Sequence, residues 1–334
     1  MTRAQVFLTH DPSALANYYG ERALAALRAV ADVRTHDSED AWTVQTLAAA
    51  AQDCDVMVSD RRTEGGAELL QRLPKLVAFV RCAVDIRNVD VSAASALGIL
   101  VTQASAGFMA SVAEWVIGVM VDLSRGVSAS VLQYRAGAVP VPQMGRELRG
   151  STLGNIGHGQ IGRSVAALGA ALGMRVLVCD PHVKVQDVGW TQVDFGPLLT
   201  ASDYVVCLAT ATPDTENLMD GAAFAAMKPS AYFINASRGN LVDEAALLHA
   251  LDSGRIAGAA LDVGRAPDQM PSLPLARHPR VIATPHIGGL TPPAIEHQSL
   301  ETARQVADIV AGRLPAGAVN GALASRLRAR FGSN

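Results

Sequence analysis

The stretch Thr152-Leu153-Gly154-Asn155-Ile156 runs straight into Gly157-His158-Gly159-Gln160-Ile161-Gly162, and its reading decides how the rest of the chain is read. A strand-like run leads to three glycines at G-x-G-x-x-G spacing, and an Ala/Leu-rich helical run from Ile161 to Leu172 opens behind them. By itself such a glycine pattern is weak, because turns need glycine. Its context is stronger: strand before, helix after, and a second strand-like run, Arg175–Cys179, ending at Asp180. Gly157 would permit the tight turn, Gly159 would let the backbone approach a pyrophosphate, and Gly162 would let helix and strand pack closely. The helix N-terminus adds N–H donors and positive potential, so residues Gly157, His158, Gly159, Gln160, Ile161 and Gly162 are expected to hold a dinucleotide. Asp180 lies 18 residues beyond Gly162, where a carboxylate bonds ribose hydroxyls and repels a 2′-phosphate. NAD is therefore expected over NADP, with His182 and Lys184 near enough to soften the preference.

Working outward from the loop, the same grammar recurs. Strand-like runs follow at Tyr204–Leu208, Ala231–Asn235, Ile256–Leu261 and Arg280–Ala283, with helical runs at Gly221–Met227 and Glu244–Leu251. In an open parallel sheet, ligands lie beyond the carboxyl ends of the strands. Those ends carry Thr210, then Ala236-Ser237-Arg238, then Asp262, then Thr284-Pro285-His286-Ile287-Gly288. An Arg fork suits a carboxylate, and a His exchanges a hydroxyl proton near neutral pH. Thr210, Ala236, Ser237, Asp262, His286 and Gly288 complete the expected cofactor set. An Arg before a Gly is usually solvent-facing, and a His between Pro and Gly-Gly is often a turn residue; their shared placement raises them above that.

Upstream, strands are expected at Gln5–Leu8, Asp55–Ser59, Leu76–Val80 and Ile99–Thr102, with helices at Ser13–Val30, Thr43–Ala51, Ala67–Leu73 and Val91–Ala96. One long helix is expected over Ser111–Arg135, then a Gly/Pro-rich connection over Gly137–Gly150. The last helix, Pro293–Ala311, is expected to cross back onto the first half. The fold class is α/β: two doubly wound parallel-sheet domains, a Rossmann cofactor domain (103–290) inserted into a flavodoxin-like substrate domain (1–102 plus 291–334).

Composition fits. The 334 residues are 49% hydrophobic and 18% charged with a net charge of −3, which gives no reason to expect nucleic acid as the main partner. Cys54, Cys82, Cys179 and Cys207 stand singly, so neither a disulfide framework nor a metal site is indicated. No apolar leader precedes Asp11, and the apolar Val112–Leu123 run is short and interrupted by Glu114 and Asp122, so no membrane span is expected and the cytoplasm is the default.

Together these motifs resemble the D-isomer-specific 2-hydroxyacid dehydrogenases, over nearly the whole chain and most densely in Leu153–Asp180, Ala231–Val263 and Thr284–Gly289. The resemblance implies an NAD-dependent oxidoreductase interconverting a D-2-hydroxy acid and its 2-oxo acid, and a homodimer built through the helix that begins near Ser111. By that likeness Arg238 binds the substrate carboxylate and carbonyl, His286 is the acid/base, and Asp262 contacts nicotinamide. The Ala83-Val84-Asp85 loop would offer backbone amides to the carboxylate.

Two departures stand out. The family places a Glu, partner of the catalytic His, in a Glu-Pro pair after the Asp-Val of the strand. Here the sequence is Asp262-Val263-Gly264-Arg265-Ala266-Pro267-Asp268, which sets Pro267 on the Glu position and leaves Asp268 as its substitute if the loop shifts by one. Without an acidic partner, the pH optimum for 2-oxo acid reduction is expected on the acid side of the family's range. The second departure is Asp85-Ile86-Arg87, where the family tends to have Gly and then Asp. Asp85 either turns outward, pairs with Arg61, Arg62 or Arg87, or helps to select the substrate. Arg62 would contact an acidic substrate tail or belong to a surface Arg pair. The alternative function is a dinucleotide-sensing binding protein, corepressor-like, on the same scaffold; the missing Glu favours it and the retained Arg238 and His286 oppose it.

Overall fold

The computed structural model describes residues 3–186 and 189–332. The chain divides into two compact units, one of residues 1–107 and 291–334, the other of residues 108–290.

Unit 1 carries a five-stranded parallel sheet of β1 (Gln5–Leu8), β2 (Asp32–Arg34), β3 (Val56–Ser59), β4 (Ala78–Arg81) and β5 (Leu100–Gln103) in the order β2-β1-β3-β4-β5. Its central strands β3 and β4 are buried at every position, as a sheet covered on both faces requires. One face packs Leu24 and Leu27 of helix Glu21–Val30 with Ala303, Val306 and Ile309 of helix Pro292–Val310. Leu47, Leu69, Leu70 and Ala94 cover the other. The expected return of the last helix to the first half is thus found within this unit. β5 runs on to Gln103, whose N–H donates to the Gly317 carbonyl, so this strand belongs wholly to unit 1.

Unit 2 holds seven parallel strands: β6 (Thr152–Ile156), β7 (Arg175–Cys179), β8 (Trp190–Gln192), β9 (Tyr204–Cys207), β10 (Tyr232–Asn235), β11 (Gly258–Leu261) and β12 (Val281–Ala283). They lie in the order β12-β11-β10-β9-β6-β7-β8, so the strand order reverses between β6 and β9, the crevice at which doubly wound sheets bind dinucleotides. Val116, Met120 and Val165 pack on one face, Leu198, Phe224, Leu247 and Leu251 on the other.

Two expected helices are broken. The 13–30 run forms Pro12–Tyr18, capped by the Asp11 carboxylate on the Ala14 amide, and then Glu21–Val30. The 111–135 run forms Met109–Arg125 and Val127–Arg135, bent by 67° at Gly126 with φ of 63°. Apolar spacing carried through both breaks, and only the left-handed backbone that glycine permits ended the helices. Short edge strands β2 and β8, three residues each, went unread because each is too brief for a period to show, and the helix Phe195–Ala201 went unread as well. Among the described residues no single helix is long and apolar enough to cross a membrane.

Candidate active site

The glycine loop meets the demands that a dinucleotide would make. Gly157 has φ of 95°, and a Cβ there would lie 2.8 Å from the backbone of Leu208 and Ala209. A Cβ on Gly162 would lie 2.4 Å from the Gly157 carbonyl oxygen. Gly159, by contrast, faces open space, with nothing within 4 Å of where its Cβ would stand. It is also the N-cap of helix Gln160–Ala171 and supplies no side-chain cap, so the first-turn N–H groups keep their capacity for an anion. The loop is held from beneath by Asn155, fully buried, whose Nδ2 donates to the Gly162 carbonyl at 2.9 Å. Asn155 was missed as a site residue; a polar side chain inside an otherwise apolar strand was the available signal.

Within this loop the residues divide. Gln160 is exposed and Ile161 half-buried, while the His158 imidazole is buried edge-on to Trp190 at 5.3 Å. Asp180 ties the loop to the second strand: its carboxylate accepts from the His158 amide at 2.7 Å and from the His182 amide at 2.9 Å. Two of its roughly four lone-pair directions therefore remain for a ribose diol.

Three adjacent strands deliver Arg238, Asp262 and His286 to the carboxyl edge. Asn235, ending β10, accepts from the Ser237 amide through Oδ1 and donates through Nδ2 to the Arg238 carbonyl, closing the turn that presents Arg238. Ser237 Oγ donates to the Ala209 carbonyl, and the Arg238 guanidinium donates to the Ser237 carbonyl at 2.8 Å. Ala236 is half-buried; Thr210 is exposed, its carbonyl accepting from Thr215. Asp262, after β11, is 4% exposed. His286, after β12, is half-buried and has φ of 57°, a left-handed conformation uncommon outside glycine.

The loop after β11 does not follow the family pattern. Gly264 N–H donates to Gln269 O and Ala266 N–H to Met270 O, folding residues 264–270 back on themselves around the 3₁₀ turn Pro267–Gln269. Pro267 offers no side-chain acceptor, and the side chain of Asp268 lies outside the described residues. Arg265, two residues earlier and not singled out from sequence, laces the surrounding loops: it reaches Asn217 Oδ1, the Asn240 and Val242 carbonyls and Glu216. Gly239 lies so close to Gly264 that a Cβ would fall 2.2 Å from the Gly264 carbonyl, so the Arg238 loop and the 264–270 loop are packed backbone on backbone.

In unit 1 the strand ends carry a charge network. Arg62 pairs with Asp11 and, at 3.2 Å, with Asp60, so two carboxylates already engage the cation read as a receiver of acidic substrate. Burial works to raise the Asp60 carboxyl, but hydrogen bonds from Thr63 and Arg62 and the charge of His10 outweigh it and hold it below the usual range. Arg81, 2% exposed, donates to the Asp85 and Arg61 carbonyls, and burial lowers its pKa. It thereby fixes the loop containing Val84. Asp85 takes one of the alternatives left open: it forms a bidentate pair with Arg87, with contacts of 2.6–3.1 Å. His10, Asp11, Asp60 and Arg81 were not singled out; acidic residues just past consecutive strands were the signal.

Comparison with known proteins agrees with this fold. Residues 117–288 match the family model described as D-isomer specific 2-hydroxyacid dehydrogenase, NAD binding domain. The chain is 34% identical over 310 residues to D-3-phosphoglycerate dehydrogenase of Mycobacterium leprae, covering 92% of this chain and 58% of that protein. It therefore spans just over half the length of that relative. Among solved structures, the TT0316 protein from Thermus thermophilus superposes with a TM-score of 0.84 at 27% identity, covering 94% of this chain and 99% of that one. The apo-structure of D-lactate dehydrogenase from Escherichia coli gives 0.84 at 24% identity, with 94% and 99% covered, a likeness of fold.

Proposed function

Because this chain belongs to the D-isomer-specific 2-hydroxyacid dehydrogenase family, whose nicotinamide-dinucleotide domain it contains, we propose that it reduces a 2-oxo acid to the D-2-hydroxy acid with NADH, and runs the reverse with NAD. The observation that carries the reading is the placement of Arg238, Asp262 and His286 after three neighbouring strands, on the same sheet edge as the open Gly159 turn. When bound, the nicotinamide supplies a hydride to C2 of the oxo acid. Arg238 holds the carboxylate and polarises the carbonyl oxygen, for which its planar fork is suited. His286 delivers a proton to that oxygen in reduction and removes it in oxidation. The Gly157–Gly162 loop and its helix terminus would hold the pyrophosphate, Asp180 the ribose, and Thr210, Ala236, Ser237 and Gly288 would line the nicotinamide side. NAD is preferred to NADP through Asp180. Asp268 stays a candidate partner of His286. Val84 and Asp85 of unit 1 enter through the family resemblance and Arg62 through its place just past the Asp55–Ser59 strand, and substitution of each is its test.

A homodimer in the cytoplasm completes the proposal. No residue of helix Val127–Arg135 is buried, and Leu132, Tyr134, Val139, Val141 and Met144 expose 64–99% of their surface. Five large apolar side chains exposed within residues 132–144 support a second copy as their cover. Sedimentation reads this: a monomer at micromolar concentration contradicts it.

The activity is tested by NADH oxidation against glyoxylate, hydroxypyruvate, pyruvate, phenylpyruvate and 2-oxoglutarate. Turnover should fall about 100-fold or more in both Arg238→Ala and His286→Ala. Tight NADH binding with no turnover on any of these acids would put the dinucleotide sensor in its place, with Pro267 as its explanation.

A further inference from the structure

His286 stands at φ of 57°, a backbone conformation that costs a non-glycine residue energy and persists only where the surroundings impose it. Among those surroundings is a carboxylate that gathers the turn's donors. Asp262 Oδ1 accepts from Thr284 Oγ1 at 2.6 Å and from the Ile287 amide at 2.8 Å, and Oδ2 accepts from the Gly288 amide at 2.7 Å. The three donors bracket His286 in sequence, two residues before it and one and two after. Thr284 is itself fixed to the sheet by its N–H on the Leu261 carbonyl, and Asp262 by its N–H on the Asn235 carbonyl. The fit is close: a Cβ on Gly288 would stand 2.8 Å from Asp262 Oδ2.

A carboxylate offers about four lone-pair directions, and the turn takes three of them. Bonds to an ionised acceptor in a buried site are roughly twice as strong as neutral ones. We propose that Asp262 is a positioning residue which, through the backbone of the 284–288 turn, aims His286 in a chain whose loop puts Pro267 where the family has the Glu partner of the imidazole. The proposal rests on the reading of His286 as proton donor, and it gives Asp262 a task distinct from touching the nicotinamide. A neutral amide would turn a donor toward one of the N–H groups and release that side of the turn.

The test compares Asp262→Asn, Gly288→Ala and the pair Thr284→Ala and Thr284→Ser in the full chain. Amide hydrogen exchange is followed over 284–290 and, as an internal reference, over 152–172. In Asp262→Asn exchange at 284–290 should quicken at least about 10-fold with the reference unchanged, Gly288→Ala should act in the same direction, and Thr284→Ser should restore what Thr284→Ala loses. At saturating NADH, kcat should fall at least about 10-fold in Asp262→Asn while the dissociation constant for NADH stays within about 3-fold. Unchanged exchange at 284–290 overturns the pin whether or not the enzyme turns over. A weakened NADH complex with kcat intact overturns it too, and makes Asp262 a cofactor contact. A wild-type chain inactive on every oxo acid defeats the proposed reaction instead, and leaves exchange to judge the pin.

Discussion

The carboxyl edges of the two sheets are built on opposite plans. In unit 1 the charges face one another: Asp11 and Asp60 close on Arg62, Asp85 closes on Arg87, and Arg81 spends its donors on two loop carbonyls. In unit 2 the buried polar groups, Asn155, Asn235 and Asp262, bind backbone, and the residues they support are a bare helix terminus, Arg238 and His286. One edge uses charge to satisfy charge. The other uses neutral turns and two carboxylates that accept from backbone, Asp180 and Asp262, to hold in place the loops that carry the bare helix terminus, Arg238 and His286.

Crowding the second edge should give the largest effect. Gly162→Ala puts a Cβ 2.4 Å from the Gly157 carbonyl oxygen, and the loop must move to admit it. NADH affinity, read by fluorescence titration, is expected to fall about 100-fold, equivalent to about 3 kcal/mol. An unchanged affinity would mean that the loop does not hold the pyrophosphate.

A smaller effect belongs to the first edge and to its buried histidine. His10 is 1% exposed, edge-on to Tyr19, and among the described residues its Nδ1 has no hydrogen-bond partner. Burial lowers its pKa from 6.5 to about 4, against the pull of Asp60 and Asp11 and with the help of Arg81 and Arg62. Its folded pKa lies below its unfolded one, so the unfolded chain takes up the proton first. Stability is therefore full above pH 6.5 and lost as pH falls toward 4, by about 2 kcal/mol at pH 5. Chemical denaturation of His10→Phe at pH 8 and pH 5 should show that portion of the slope gone. A slope equal to the wild type's would place the acid sensitivity elsewhere.

Least affected should be Arg87→Ala. Its pair with Asp85 is bidentate but exposed, so the loss is expected below about 1 kcal/mol. A larger loss would show that the pair supports the loop as Arg81 does.

What was legible in the sequence follows the same division. The strand–glycine–helix unit and the residues ending β10, β11 and β12 were readable, because apolar periodicity and a positional glycine pattern are local signals; the strand order that sets the switch point was not. The breaks at Gly20 and Gly126 were not, since an amphipathic period passes through a bend unchanged. Nor was the task of Asp262: its three donors are set by the fold of a turn 22–26 residues away. The unit 1 network escaped for a similar reason, with Asp11 and Arg62 51 residues apart. Arg265 was passed over as a departure's neighbour, although it fastens the Arg238 loop.

The central claim is that the second edge performs reduction of a 2-oxo acid, and one measurement addresses it most directly: NADH oxidation by the full chain with a set of 2-oxo acids, beside His286→Ala and Arg238→Ala. The account predicts turnover of at least one acid, lost about 100-fold or more in both variants while each still binds NADH. Turnover that survives His286→Ala, or NADH binding without turnover of any acid, would contradict it.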